Sequence, residues 1–178
     1  TIQQPLNRAD PPQRLGDYFD QVIDHTQKAI ERLHDKGILR EIPSGIDALD
    51  RLSGGFERGM LVVIATRPSE GKTALATRIL GYAAETIAPC LIFPLEMSVE
   101  EMAARYLYSS SNFPFNAEVR KEDIANLMRM ANRLHSVEIY ADPCPRLSIQ
   151  EICRRAELFA AQHGSPAIVA IDYLTLIS

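Results

Sequence analysis

Between Asp17 and Lys36 the apolar residues Tyr18, Phe19, Val22, Ile23, Ala29, Ile30 and Leu33 return at helical spacing among polar and charged neighbours. That spacing gathers them on one face of an amphipathic helix, and Gly37 supplies its stop. Further along, the pattern changes. LVVIAT (61–66), CLIFPLE (90–96), VEIYAD (137–142) and AIVAID (167–172) are short, bounded apolar runs rich in β-branched residues, as expected of strands buried within a parallel sheet. Helical patterns lie between them, from Lys72 to about Ile87, from Ser98 to about Ser109, over 120–135, and from Ser148 to about His163. Ser98 with Glu101, and Ser148 with Glu151, are capping signals. Strands alternating with helices imply βαβ crossovers, so the fold class expected is α/β, a parallel sheet flanked by helices.

Residues 1–15 contain Pro5, Pro11 and Pro12 and show no apolar periodicity, which reads as an extended linker. The organisation expected is therefore a linker over 1–15, an amphipathic linker helix over 16–37 and one α/β domain over 38–178. The helix either packs on its own domain or docks on a neighbouring subunit. A chain of 178 residues, 46% hydrophobic and 24% charged, can bury one sizeable core with little left for a second.

Nineteen Lys and Arg against twenty-three Asp and Glu leave a net charge of −4, so there is no overall basic field and any contact with DNA must be local. The longest purely apolar runs, Met60 to Ala65 and Ala167 to Ile171, fall far short of the roughly 18 residues of a membrane span, and no membrane partner is expected. The N-terminus has no secretory pattern. Cys90, Cys144 and Cys153 are too scattered for a disulfide framework or a zinc site, which fits a reducing cytoplasm.

The chemistry sits at the ends of the strands. TRPSEGKT (66–73) lies where a strand gives way to a helix and carries Gly71, Lys72 and Thr73 of the phosphate-loop pattern G-x-x-x-x-G-K-S/T. Such a loop turns backbone N–H groups and a helix N-terminus on a phosphate chain, with the lysine on the β- and γ-phosphates and the hydroxyl on Mg²⁺. Thr66 stands at the first glycine of the pattern. Asp172 closes the AIVAID strand at the edge where parallel sheets bind ligands, suited to hold Mg²⁺ through a water. Glu96, at the end of CLIFPLE, could orient or deprotonate an attacking water; read alone, it is equally a solvated loop acid or a helix-cap contributor. Together these residues read as an ATPase site with ATP and Mg²⁺ as its ligands. Arg154 and Arg155 fall between apolar positions of their helix and read as a solvated face or a subunit contact. His25, His34, His135 and His163 are assigned no role.

In this order the motifs resemble those of DnaB-type replicative helicases. ATRPSEGKT resembles their ARPSMGKT loop, FPLEMS (93–98) their FSLEMS, and AIDYLTLI (170–177) their IDYLQLI. IPSGIDALDRLSGGFERGMLVVIA and LSIQEICRRAELF (147–159) agree as well, so the resemblance covers roughly 38–178. It implies a RecA-like P-loop NTPase domain and a hexameric motor that couples ATP hydrolysis to translocation on single-stranded DNA and duplex unwinding in replication. It also implies a linker and a linker helix that docks on the adjacent subunit, and a primase or a loader as further partners. It carries over Lys72 and Thr73 as phosphate and Mg²⁺ contacts, Glu96 as the catalytic glutamate, Asp172 as the Walker B acid, and Arg67, Pro68, Ser69 and Gly71 as the loop. The alternatives are another RecA-like ATPase, of circadian-clock or recombinase-paralogue type, and a non-catalytic assembly module built on the phosphate loop.

Two positions depart from the family pattern. Glu70 replaces Met and brings a negative charge to the phosphate loop. Pro94 replaces Ser and removes an N–H from the strand before Glu96. In the family, the DNA-binding loops, a phosphate sensor and an arginine finger follow the Walker B acid, and the sequence given runs six residues past Asp172. The expectation for these 178 residues is therefore nucleotide binding at most, with the DNA contacts carried elsewhere.

Overall fold

A computed structural model describes residues 14–36, 41–67, 70–114, 118–144 and 147–172. The chain forms two compact units, Thr1–Val63 and Ile64–Ser178. In the first, a 3-10 turn at Leu15–Tyr18 leads into helix α1, Phe19–Lys36. The helical period is thus realised, with its first turn wound more tightly. The linker proper and the stop at Gly37 lie outside the described residues. A short helix α2, Asp47–Ser53, follows. The Asp50 carboxylate captures the Ser44 and Gly45 N–H groups at 2.8 and 3.2 Å, and Gly54, at φ 74°, ends the helix in the left-handed region. An antiparallel bridge between Ile42 and Phe56 closes the segment around it.

The second unit is a three-stranded parallel sheet with helices against it. Its elements are α3 (Lys72–Thr86), β1 (Cys90–Pro94), α4 (Val99–Ser111), α5 (Lys121–Leu134), β2 (Ile139–Ala141), α6 (Ile149–His163) and β3 (Val169–Asp172), with strand order β2-β1-β3. β1 is central and fully buried. Successive side chains on a strand point to opposite faces. Leu91 and Phe93 join Leu147, Ile152 and Phe159 in a core under α6, with Tyr140 and Ile171 packed against it. Cys90 and Ile92 therefore face the other side, where α3 buries Ile79, Leu80 and Ala83. α3 and α4 pack closely at Gly81, where a Cβ would stand 2.8 Å from Tyr106 Cζ.

Both serine caps form, Ser98 accepting from Glu101 N at 3.1 Å and Ser148 from Glu151 N at 3.2 Å. The glutamates do not complete the box. Glu101 pairs with Arg105 and Glu151 with Arg154 and Arg155, all within their own helices.

The run LVVIAT is a correction to the expected strands. Residues 61–66 take no strand structure, and Leu61 and Val63 are 85% and 66% exposed. A strand is defined by its ladder, and, among the described residues, 61–66 pair with neither outer edge of the β2-β1-β3 sheet. An apolar, β-branched run without a ladder partner among the described residues stays unpaired, whatever its propensity.

Candidate functional site

Register brings the site together. Pro94 of β1 pairs with Asp172 of β3, and Phe93 with Ile171. Since Ile171 packs toward α6, alternation turns Asp172 to the opposite face, toward α3. There it meets the first residues of that helix. Thr73 Oγ1 donates to Asp172 Oδ2 at 2.8 Å, and Lys72 Nζ stands 2.6 Å from Oδ1. Asp172 is only 5% exposed. Among the described residues, its Oδ1 accepts no hydrogen bond of ordinary geometry, so the contact with Lys72 is one of charge.

Gly71 is the N-cap of α3 at φ 88°, a left-handed conformation that lets the chain turn from the loop into the helix. Thr66 and Arg67 are exposed in the approach to the loop; Pro68 and Ser69 lie outside the described residues. Glu70 folds back on the loop. Its carboxylate accepts from the Arg67 N–H at 3.2 Å, while its own N–H donates to Arg67 O at 3.3 Å. The charge that departs from the family pattern is thus engaged with the loop backbone.

Glu96 is exposed on the turn after β1. The preceding residue holds that turn in place, because Leu95 N donates to Asp172 O at 2.8 Å. Pro94 fits for a simple reason. Along β1, donors alternate between neighbours: Cys90 N goes to Glu138 O and Leu91 N to Ile168 O. The donor missing at Pro94 would point toward β2, which has already ended at Ala141.

The residues converge on a buried carboxylate, a lysine and a hydroxyl at a helix N-terminus, a donor set that fits a phosphate chain and a hard divalent cation. A family model described as the DnaB-like helicase C terminal domain matches residues 41–178. The chain belongs to this family. It is 36% identical over 167 residues to the replicative DNA helicase DnaC of Bacillus subtilis, covering 88% of this chain and 36% of that protein. It is 35% identical to the replicative DNA helicase DnaB of Geobacillus stearothermophilus, again over 88% of this chain and 36% of that one. The chain thus spans little more than a third of these relatives' length. A solved structure of a DnaB-like replicative helicase and its interactions with primase superposes with a TM-score of 0.76 at 22% identity, over 95% of this chain and 41% of that one. The likeness establishes a RecA-like fold.

Arg154 and Arg155, expected on a solvated face or at a subunit contact, belong to an ion-pair cluster of this DnaB-like domain. Arg155 reaches both oxygens of Asp142 at 2.8 Å and Glu151 at 2.8 Å, while Arg154 also grips Glu151. Hydrogen bonds from Arg154 and then Arg155 hold the Glu151 carboxyl down to about 2. Asp142 directly follows β2, so the cluster ties that strand end to the first turns of α6. Glu151 and Arg155 stand at i, i+4 spacing, whereas nothing in the spacing marks Asp142 as their partner.

Proposed function

We propose that this chain is the nucleotide-binding part of an ATP-driven replicative DNA helicase, in which hydrolysis is coupled to translocation on single-stranded DNA and to duplex unwinding. The contact of Lys72 and Thr73 with the buried Asp172 carries this reading. Lys72 is the cation for the β- and γ-phosphates. Thr73 spends its hydroxyl proton on Asp172, which leaves its oxygen lone pairs for a cation. Asp172, held by the strand and by Thr73, is the acid that retains Mg²⁺. When bound, Mg²⁺ offsets the negative charge of the phosphate chain. Glu96 is the group that accepts a proton from the attacking water, set on a turn fixed by the bond of Leu95 to Asp172. Thr66, Arg67, Pro68, Ser69, Glu70 and Gly71 form the loop around the phosphates.

For the 178 residues themselves, the proposal is confined to nucleotide binding. The full natural polypeptide works as a homo-oligomer, a hexamer, with α1 docked on the adjacent subunit. α1 suits that role because Phe19, Val22, Ile23 and Ile30 are exposed along it. Single-stranded DNA is the track, with a primase or a loader as further partners, in the cytoplasm. Among the described residues, no helix is long and apolar enough to cross a membrane.

The test is ATP hydrolysis by the full polypeptide under conditions where it assembles. The expected result is stimulation by single-stranded DNA that is lost in Glu96→Gln. An assembled protein without DNA-stimulated hydrolysis would overturn the motor reading in favour of a non-catalytic assembly module.

A further inference from the structure

Glu70 closes the phosphate loop on itself. Its carboxylate Oε2 accepts from the Arg67 N–H at 3.2 Å, and its own N–H donates to Arg67 O at 3.3 Å. The two residues are joined twice, through side chain and through backbone, directly before Gly71 and Lys72. A phosphate loop works by turning its N–H groups on an anion. Here the Glu70 N–H is spent on a carbonyl, and the Arg67 N–H already holds an anion that belongs to the chain. Met, which stands at this position in the family motif, forms the backbone bond but offers no carboxylate for the other. A phosphate chain entering the loop brings further negative charge against Glu70, and like charges within one short loop repel. The exposed carboxylate gives way by releasing Arg67 and turning to solvent.

We propose that Glu70 is a built-in competitor of the phosphate chain, which holds the loop in a closed form that opens before nucleotide enters. A ligand that binds only the open form binds more weakly by the fraction of the loop that is open. Glu70 therefore sets the affinity of the site through the rate of association. The inference rests on the nucleotide-binding reading above and names a residue that tunes that same site.

The experiment is stopped-flow and equilibrium binding of methylanthraniloyl-ADP with Mg²⁺ to the chain, to Glu70→Met and to Glu70→Gln. Methionine removes the charge and the acceptor; glutamine removes the charge and keeps an acceptor oxygen. In Glu70→Met the affinity is expected to rise about tenfold, the scale of a hydrogen bond to a charged group. The gain lies in faster association, with dissociation nearly unchanged, and is smaller in Glu70→Gln. A Glu70→Met that binds no more tightly than the wild type overturns the competitor and leaves the nucleotide site standing. A gain carried wholly by slower dissociation, or equal in the two variants, also overturns it, because the carboxylate then acts by repelling bound phosphates and not by closing the loop. No binding by the wild type and by Glu70→Met alike overturns both readings.

A second measurement reads the closure directly. In the amide nitrogen–proton correlation spectrum of the chain, the Arg67 resonance is expected to move upfield in Glu70→Met without nucleotide, and to leave its place in the wild type when Mg²⁺ and ADP are added. An Arg67 amide indifferent to either change overturns the proposal.

Discussion

Thr73 and Asp172, 99 positions apart in the chain, are joined by a 2.8 Å hydrogen bond between the first turn of α3 and the last residue of β3. The bond ties the helix that follows the loop to the acid at the sheet edge. Thr73→Val keeps the shape but removes the donor from a buried carboxylate. Urea unfolding is expected to show a loss of about 1.5–3 kcal/mol, the range for hydrogen bonds to charged groups. Thr73→Ser should recover most of it. A Val variant as stable as the wild type would mean the bond is not formed in solution.

Gly71 tests the loop in a different way. A Cβ there would meet nothing within 4 Å, so Gly71→Ala has no clash to relieve. The cost is that of the backbone at φ 88°, about 1–2 kcal/mol for a residue with a side chain in the left-handed region. The variant is expected to bind nucleotide more weakly while the sheet and its helices keep their circular dichroism. Unaltered affinity and stability would show that the loop does not use this conformation.

The Arg154–Glu151–Arg155 cluster gives a pH dependence. The Glu151 carboxyl is held from its ordinary 4.5 down to about 2. A depressed folded value means the stabilisation is fully present above the unfolded value and is lost as pH falls through the folded one. Glu151→Gln should therefore lower Tm at neutral pH, and the gap to the wild type should close between about 4.5 and about 2. A gap that persists at the acid end would assign the loss to the capping turn and not to charge.

Much of this domain is readable in one dimension, because its helices announce themselves by period and cap. Ser98 and Ser148 cap where their spacing predicts. The phosphate loop is contiguous in sequence, and Asp172 ends an apolar run, so the site's members carry local signals. Other features depend on partners far along the chain. LVVIAT has the composition of a central strand, but composition cannot supply a neighbour to pair with. The other strands are shorter than their apolar runs because pairing stops where the partner ends, as β2 does at Ala141. α2 was missed because its seven residues lie among turn-forming glycines; it is held by the Asp50 carboxylate and by Gly54, neither of which is an apolar signal. The Asp142–Arg155 pair joins a strand end to a helix across the fold, and nothing in the spacing of the two residues marks it.

Cysteine chemistry follows from burial. Desolvation in the sheet pushes the Cys90 thiol up to about 11, whereas Cys153 is exposed on α6. Thiolate is the reactive form. Iodoacetamide at pH 8 is expected to label Cys153 at least about a hundredfold faster than Cys90, read by peptide mass spectrometry. Comparable rates would mean that β1 opens readily or does not occupy the centre of the sheet.

The central claim is that Lys72, Thr73 and Asp172 form a working nucleotide site. The most direct measurement is equilibrium binding of a fluorescent ATP analogue to this chain and to Lys72→Ala, with and without Mg²⁺. The account predicts saturable, Mg²⁺-dependent binding by the wild type that is lost in the variant. No binding by the wild type, or equal binding by Lys72→Ala, would contradict it.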